Sequence, residues 1–177
     1  MSTKILVTGG AGYIGTELVP ILLNKGYDVT VMDNLLFGGD PIIPFFRNKN
    51  FEFVKGDVRD KELMTKMIAD KDIIIHLAAI VGYPACRKEP LRAESVNLDA
   101  TKLLSSLASK DQLILFGSTG SNYGHVEEVC TEETPLNPLS LYGKTKTFAE
   151  THLLENNTTI AYRFATAFGI SPRLRLD

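Results

Sequence analysis

The sequence predicts an α/β fold: a doubly wound, mostly parallel sheet with helices on both faces. Three observations carry this. Short apolar runs such as Ile5-Leu6-Val7, Val29-Thr30-Val31-Met32 and Gln112-Leu113-Ile114-Leu115-Phe116 alternate with amphipathic segments, and such alternation closes into a parallel sheet through right-handed crossovers. Asp72-Ile73-Ile74-Ile75-His76-Leu77 is almost continuously apolar, as a strand covered on both faces should be. The first strand runs straight into Thr8-Gly9-Gly10-Ala11-Gly12-Tyr13-Ile14-Gly15, a glycine turn that opens a helix.

Taken in order, a first strand at about 3–8 leads into a helix from Gly12 with Ile14, Leu18, Ile21 and Leu22 at helical spacing, ending near Lys25-Gly26. Pro20 within it argues for a local kink. A strand at 28–33 follows, then a glycine-rich loop in which Pro41 is placed to start a short helix. Phe51-Glu52-Phe53-Val54 is a third strand, and Leu63, Met64, Met67 and Ile68 mark an amphipathic helix whose methionines fill core. After the 72–77 strand comes a loop with Pro84 and Pro90, then a long helix over 91–109 with Val96, Leu98, Leu103, Leu104 and Leu107. The fifth strand, 112–116, is followed by a polar excursion at 125–139, a helix at 140–155 and a sixth strand, Thr159 to Phe164. His76, alone in its apolar strand, reads as a hydrogen-bonded core histidine.

A chain of 177 residues, 44% hydrophobic and 23% charged, suits one globular domain. Nineteen basic against 21 acidic residues, without a basic cluster, exclude nucleic acid and anionic membrane as main partners. No run is long enough to span a bilayer and the N-terminus lacks a signal pattern, so a cytoplasmic location is expected. Cys86 and Cys130 cannot form a metal site, and reduced thiols are expected. Arg87 and Lys88 could lower the Cys86 pKa, although a structural thiol is the simpler reading.

The glycine turn carries the first functional signal. Gly9 permits a tight turn, Gly12 lets backbone approach a pyrophosphate, and Gly15 lets the helix sit close on the strand, with the anion over the free N–H groups of the helix start. Asp33 ends the second strand 18 positions after Gly15, near the ~20-residue offset at which a carboxylate meets the adenosine ribose. It would repel a 2′-phosphate, and no Arg follows nearby, so NAD is favoured over NADP. An ordinary turn-forming role for Asp33-Asn34 is the alternative.

The second signal lies at the carboxyl ends of later strands. Thr119 follows the fifth strand, and Tyr142 and Lys146, four apart, share a helix face. A phenol with a pKa near ~10 is a poor base at neutral pH, and a neighbouring ammonium favours its phenolate. Tyr142 could then take a proton from an alcohol whose oxygen Thr119 holds, while hydride leaves the carbon. Alone, Y-x-x-x-K more often marks a solvated helix face.

The ordered set T-G-G-A-G-Y-I-G, Asp33, Gly56-Asp57-Val58, His76-Leu77-Ala78-Ala79, Asn97, Ser118-Thr119 and Tyr142-x-x-x-Lys146 resembles the extended short-chain dehydrogenase/reductases, within them the NAD-dependent epimerase/dehydratases of nucleotide sugars. The resemblance implies an NAD-binding Rossmann fold over 1–168 and an enzyme that transiently oxidises a sugar carbon, often C4, permitting epimerisation, dehydration or reduction. It places Gly9, Gly12, Tyr13 and Ile14 around the pyrophosphate, Asp33 and Asn34 at the ribose, and Asp57 and Val58 beside the adenine, with a helix-start cap as the alternative for Asp57. Leu77, Ala78, Ala79, Val81 and Ser118 would line the cofactor, Asn97 brace nearby loops, and Ala165 meet the nicotinamide through backbone. Thr119, Tyr142 and Lys146 would be catalytic, Tyr142 and Lys146 also binding cofactor.

Members of this family run to roughly twice this length, so residues 169–177 would begin a substrate-binding region otherwise absent. Arg173 and Arg175 there could face a diphosphate or be solvated tail charges, and apolar sheet and helix surface would be left uncovered. The family also implies a homodimer through the helices near 91–109 and 140–155, whose apolar faces packing on the sheet explains equally well. A non-catalytic NAD-binding module or subunit, and an NAD(P)H-dependent reductase, are the competing readings.

Overall fold

The computed structural model describes residues 2–173. Six strands, β1 (Lys4–Thr8), β2 (Asp28–Asp33), β3 (Phe51–Lys55), β4 (Ile73–His76), β5 (Leu113–Thr119) and β6 (Thr159–Phe164), form one sheet in the order β3-β2-β1-β4-β5-β6. Every neighbouring pair is parallel. The register sets Val7 beside both Val31 and Ile75, so the middle strands are apolar on both sides of the pleat. Strand order reverses between β1 and β4, which opens a crevice at their carboxyl ends.

Helices α1 (Gly15–Asn24), α2 (Lys61–Ile68), α5 (Ala100–Leu107) and α6 (Leu141–Asn156) cover the sheet. One core holds Leu6, Ile74, Ile114 and Phe116 with Met64, Ile68, Leu104, Ala149 and Leu153. The other holds Ile5, Val7, Val29 and Val31 with Val19 and Leu23 of α1 and with Ile42 and Phe45 of a 3-10 helix, Asp40–Arg47, led by Pro41. β6 turns Thr159, Ala161 and Arg163 inward, while Ile160, Tyr162 and Phe164 on its other face are exposed. The expected uncovered apolar surface is therefore present on the edge strand.

Three segments differ from the sequence expectation. The α1 face against the sheet is Gly15, Thr16, Val19 and Leu23, and Ile21 is 53% exposed. Of the residues picked out by apolar spacing, Leu18 and Leu22 pack part-buried against this core and Ile21 alone is exposed, while the small residues Gly15 and Thr16 complete the buried face. Tyr83–Lys88 is not a loop but a short helix, α3, with Pro84 at its first turn. The expected long helix is broken into α4 (Pro90–Glu94), a π turn at Ser95–Asp99, and α5. That wider turn buries Val96, Asn97 and Leu98 in succession.

Candidate functional site

β1 ends in Thr8, and Gly9 leaves it with φ +72, its N–H donating to the Met32 carbonyl at 2.8 Å. A Cβ at Gly9 would stand 2.7 Å from the Ala78 nitrogen, and one at Gly15 would stand 2.5 Å from Gly10 backbone. These glycines let the turn lie flat on the end of β4 and bring α1 down onto it. No side chain caps the N-terminus of α1. A helix start that lacks a side-chain acceptor and sits behind a glycine turn suits an anion. Gly12, Tyr13 and Ile14 lie there, with Gly12 N–H donating to the Gly9 carbonyl at 3.0 Å.

Asp33 closes the turn from the next strand, its carboxylate accepting from Ala11 N–H at 3.1 Å and Leu35 N–H at 2.8 Å. Burial raises its pKa, and those two donors together with the Arg173 charge pull the other way. That guanidinium stacks 4.1 Å from the Phe37 ring centroid. The Arg173 charge thus acts on Asp33 from a distant segment, without an ion pair between them among the described residues, while no Arg follows Asp33 closely in sequence. The connection is made by Tyr13, whose hydroxyl donates to the Gly169 carbonyl at 2.6 Å, and by Ser171, bonded to Thr16 and to the Tyr13 carbonyl. Arg175 lies outside the described residues.

Asn34, whose Oδ1 accepts from Leu36 N–H at 3.0 Å, lies near Asp57. Asp57 is not a helix cap: its carboxylate takes Arg59 Nε at 2.8 Å and Nη2 at 2.7 Å, which holds its pKa below the usual range, and α2 is capped by Asp60 instead. The Val58 side chain lies in the core, so a contact to adenine would have to come from its backbone. Leu77, Ala78 and Ala79 are half-buried after β4, and Val81 is exposed beyond them. Asn97, buried in the π turn, clasps Ile80 with its Oδ1 on the N–H at 2.8 Å and its Nδ2 on the carbonyl at 3.0 Å, and reaches Thr145 of α6 at 3.3 Å. It therefore fastens the β4 loop to the helix that carries Tyr142. Cys86, buried beneath, donates to the Ile80 carbonyl, and burial pushes its thiol pKa up rather than down.

His76 is a core histidine with a defined tautomer. The Thr101 hydroxyl donates to the Asn97 carbonyl at 2.9 Å, so it must accept from His76 Nε2–H at 3.0 Å. Nδ1 is then the acceptor for the Thr8 hydroxyl at 2.7 Å. Burial, with the Lys146 charge second, lowers its pKa to about 3.

Thr119 ends β5 buried, its oxygen accepting from Ser121 N–H at 3.1 Å, so its proton remains available to donate. The first turn of α6, capped by Ser140, carries Tyr142. A Cβ at Gly143 would lie 2.9 Å from the Ser121 carbonyl oxygen, so only glycine allows α6 to start this close to the turn after Thr119. Ala165, just past β6, lies exposed near Gly120 of the same turn. Lys146 is not on a solvated face: it is 2% exposed, with Nζ 3.8 Å from the Phe116 ring centroid. Burial lowers its pKa to about 7, with Glu150 acting in opposition.

The Ser118 hydroxyl turns inward to Glu150, so a contact to the cofactor would have to come from its backbone. Glu150, Asn122 and Arg163, which form this inner network, carry no motif and were missed by sequence reasoning. Their available signals were the eight-residue offset of Glu150 from Tyr142 and a charge inside a strand at Arg163. Among the described residues no group of acidic, His and Cys side chains could hold a metal, and no helix is long and apolar enough to cross a membrane.

The profile of the NAD dependent epimerase/dehydratase family matches residues 5–169. The chain is 35% identical over 154 residues to the UDP-glucose 4-epimerase of Lactobacillus helveticus, covering 83% of this chain and 45% of that protein. It is 32% identical over 186 residues to the UDP-glucose 4-epimerase of Bacillus subtilis, covering 97% and 55%. Among solved structures it resembles the UDP-glucuronic acid 4-epimerase of Bacillus cereus in complex with UDP-glucuronic acid and NAD, with TM-score 0.89, 30% identity, and coverage of 99% of this chain and 60% of that one. The chain thus spans about half the length of the curated relatives it matches.

Proposed function

The chain belongs to the NAD-dependent epimerase/dehydratase family, and on that premise we propose that it is the cofactor-binding part of an enzyme that epimerises or dehydrates a nucleotide-diphosphate sugar through transient oxidation. The observation that supports this reading is that the uncapped start of α1 follows the carboxyl end of β1, with Asp33 at that of β2 and Thr119 at that of β5, on either side of the switch point, and Lys146 buried one helical turn from Tyr142. The residues fit NAD: Gly9, Gly12, Tyr13 and Ile14 would hold the pyrophosphate, Asp33 and Asn34 the adenosine ribose, Asp57 and backbone at Val58 the adenine, and Ala78, Ala79, Val81 and Ala165 the nicotinamide side. Bound NAD supplies the hydride acceptor and donor.

The chain's own residues handle the proton. Tyr142, acidified by the Lys146 ammonium, takes the hydroxyl proton of the sugar carbon being oxidised. Thr119, whose oxygen is already engaged by Ser121 N–H, donates its proton to the same substrate oxygen and holds it in line. The buried ammonium of Lys146 cannot spread its charge into water, so the phenol feels it strongly. The planar ketone that results can be epimerised, eliminated or reduced.

The remainder of the proposal is assembly. Residues 1–168 serve as the NAD-binding domain and 169–177 as the start of the substrate-binding region. The exposed Leu91, Phe148 and Leu154 on the outer helices support a homodimer there, and two free cysteines suit a reducing, cytoplasmic setting. Titration calorimetry with NAD and NADP tests the reading at its base. NAD should bind, NADP more weakly, and Asp33→Ala should weaken NAD about tenfold through lost ribose hydrogen bonds. Absence of any binding heat with NAD would end the proposal.

A further inference from the structure

Tyr142, Lys146 and Glu150 follow one another at four-residue steps, so their side chains stack along one face of α6. Glu150 is 1% exposed, and its carboxylate is held entirely from other elements. Oε1 accepts Arg163 Nε at 2.8 Å and Nη2 at 2.6 Å from β6. Oε2 accepts Asn122 Nδ2 at 2.8 Å from the turn after β5 and the hydroxyl of Ser118 from β5 itself. Arg163 is anchored in turn by the Tyr123 hydroxyl at 2.9 Å and the Glu132 carbonyl at 3.1 Å. A carboxylate with four donors from three elements is fixed in place.

Lys146 is held differently. Its ammonium rests on the Phe116 ring, and no carboxylate of the described residues comes within ion-pairing distance of it. The titratable and charged groups around it are neutral His76 from β4, Tyr142 and Glu150 from α6, and, behind Glu150, Tyr123 and Arg163. Glu150 is the negative member of that set.

We infer that Glu150, clamped by Arg163, Asn122 and Ser118, is a positioning residue that keeps Lys146 in its charged form and thereby sets the acidity of Tyr142. The inference rests on the reading of Tyr142 as the base. Burial pulls the Lys146 pKa down and the Glu150 charge pushes it back up, so loss of the carboxylate leaves less of the ammonium. A neutral amine does not favour a phenolate, and Tyr142 returns toward an ordinary phenol. The two groups titrate as a coupled pair, so the quantity to follow is the apparent midpoint of the phenol.

The test is a pH titration of tyrosinate absorbance on this chain, each protein read against the same protein carrying Tyr142→Phe, with circular dichroism confirming the fold. Glu150→Gln should raise the Tyr142 midpoint by about one pH unit or more. Because that change strands the Arg163 charge, the pair Glu150→Gln with Arg163→Met, which removes both charges, should give the same rise if the single variant does not fold. Arg163→Lys, which preserves the carboxylate and a cationic partner, should stay near the parent midpoint. A parent-like midpoint in a folded carboxylate-free variant would overturn the inference and leave the role of Tyr142 standing. A parent protein in which Tyr142→Phe removes no early-titrating phenol would instead overturn the role of Tyr142.

Discussion

The crevice has two ends made of different material. Around Gly9 to Gly15 the groups proposed to meet the cofactor are backbone N–H donors, held by close contacts in which a methyl at Gly9 or Gly15 has no room. Around Tyr142 and Lys146 they are side chains, and the charge that matters is buried against Phe116 and steadied by a carboxylate one turn away. The first end is stiff and indifferent to pH over the neutral range. The second depends on protonation and on residues scattered over β5, β6 and α6, so its chemistry can be altered without disturbing the fold.

Substitutions can break or sharpen this contrast. The largest effect is expected at the backbone end: Gly9→Ala adds a left-handed penalty to a collision with Ala78 backbone, a loss of about 2–5 kcal/mol in denaturant unfolding, together with NAD affinity. A mild loss would mean that the turn yields, and the contrast in stiffness would fail.

Between the two ends lies His76, and it makes the core pH-sensitive. Its folded pKa is lowered from 6.5 to about 3, so within that window the unfolded chain binds a proton that the folded one refuses. Stability present above the upper value is therefore lost as pH falls, at about 1.4 kcal/mol per pH unit where the difference is complete. His76→Gln should flatten that part of the stability profile measured by urea unfolding; an unchanged slope would assign it to the carboxylates.

At the side-chain end the expected sign reverses. Lys146 is charged below about 7 at the cost of desolvation, so Lys146→Met should stabilise the fold by about 1–3 kcal/mol while raising the Tyr142 midpoint. Destabilisation would show that the ammonium contributes net structure. The smallest effect is a reference: Asp60→Ala removes the cap of α2, whose carboxylate accepts Leu63 N–H at 3.1 Å, for about 1 kcal/mol, with neither end of the crevice affected.

Much of this molecule was legible in the chain itself. Glycine spacing, the carboxylate after β2 and the alternation of apolar runs announced the parallel sheet and the glycine turn, because these are local consequences of backbone conformation and side-chain period. The limits of β2 and β6 agree with the sequence expectation, since turn residues bound both. The face of α1 was read in part: Leu18 and Leu22 do pack against the core, but hydrophobicity alone does not show that the small Gly15 and Thr16 are buried beside them or that Ile21 is left outside. The π turn at Ser95–Asp99 was invisible because its cause, the clasp of Asn97 on Ile80, joins residues 17 apart.

By itself, then, the sequence determined the class of fold, the order of its elements and the residue types at both ends of the crevice. Tertiary structure alone decided that Lys146 is buried, that Arg163 and Ser118 bind Glu150, and that Arg173 arrives beside Asp33. The physical reason is range: backbone preferences act over a few residues and leave a mark in composition, whereas desolvation and charge pairing exist only once distant segments are packed together and water is removed between them.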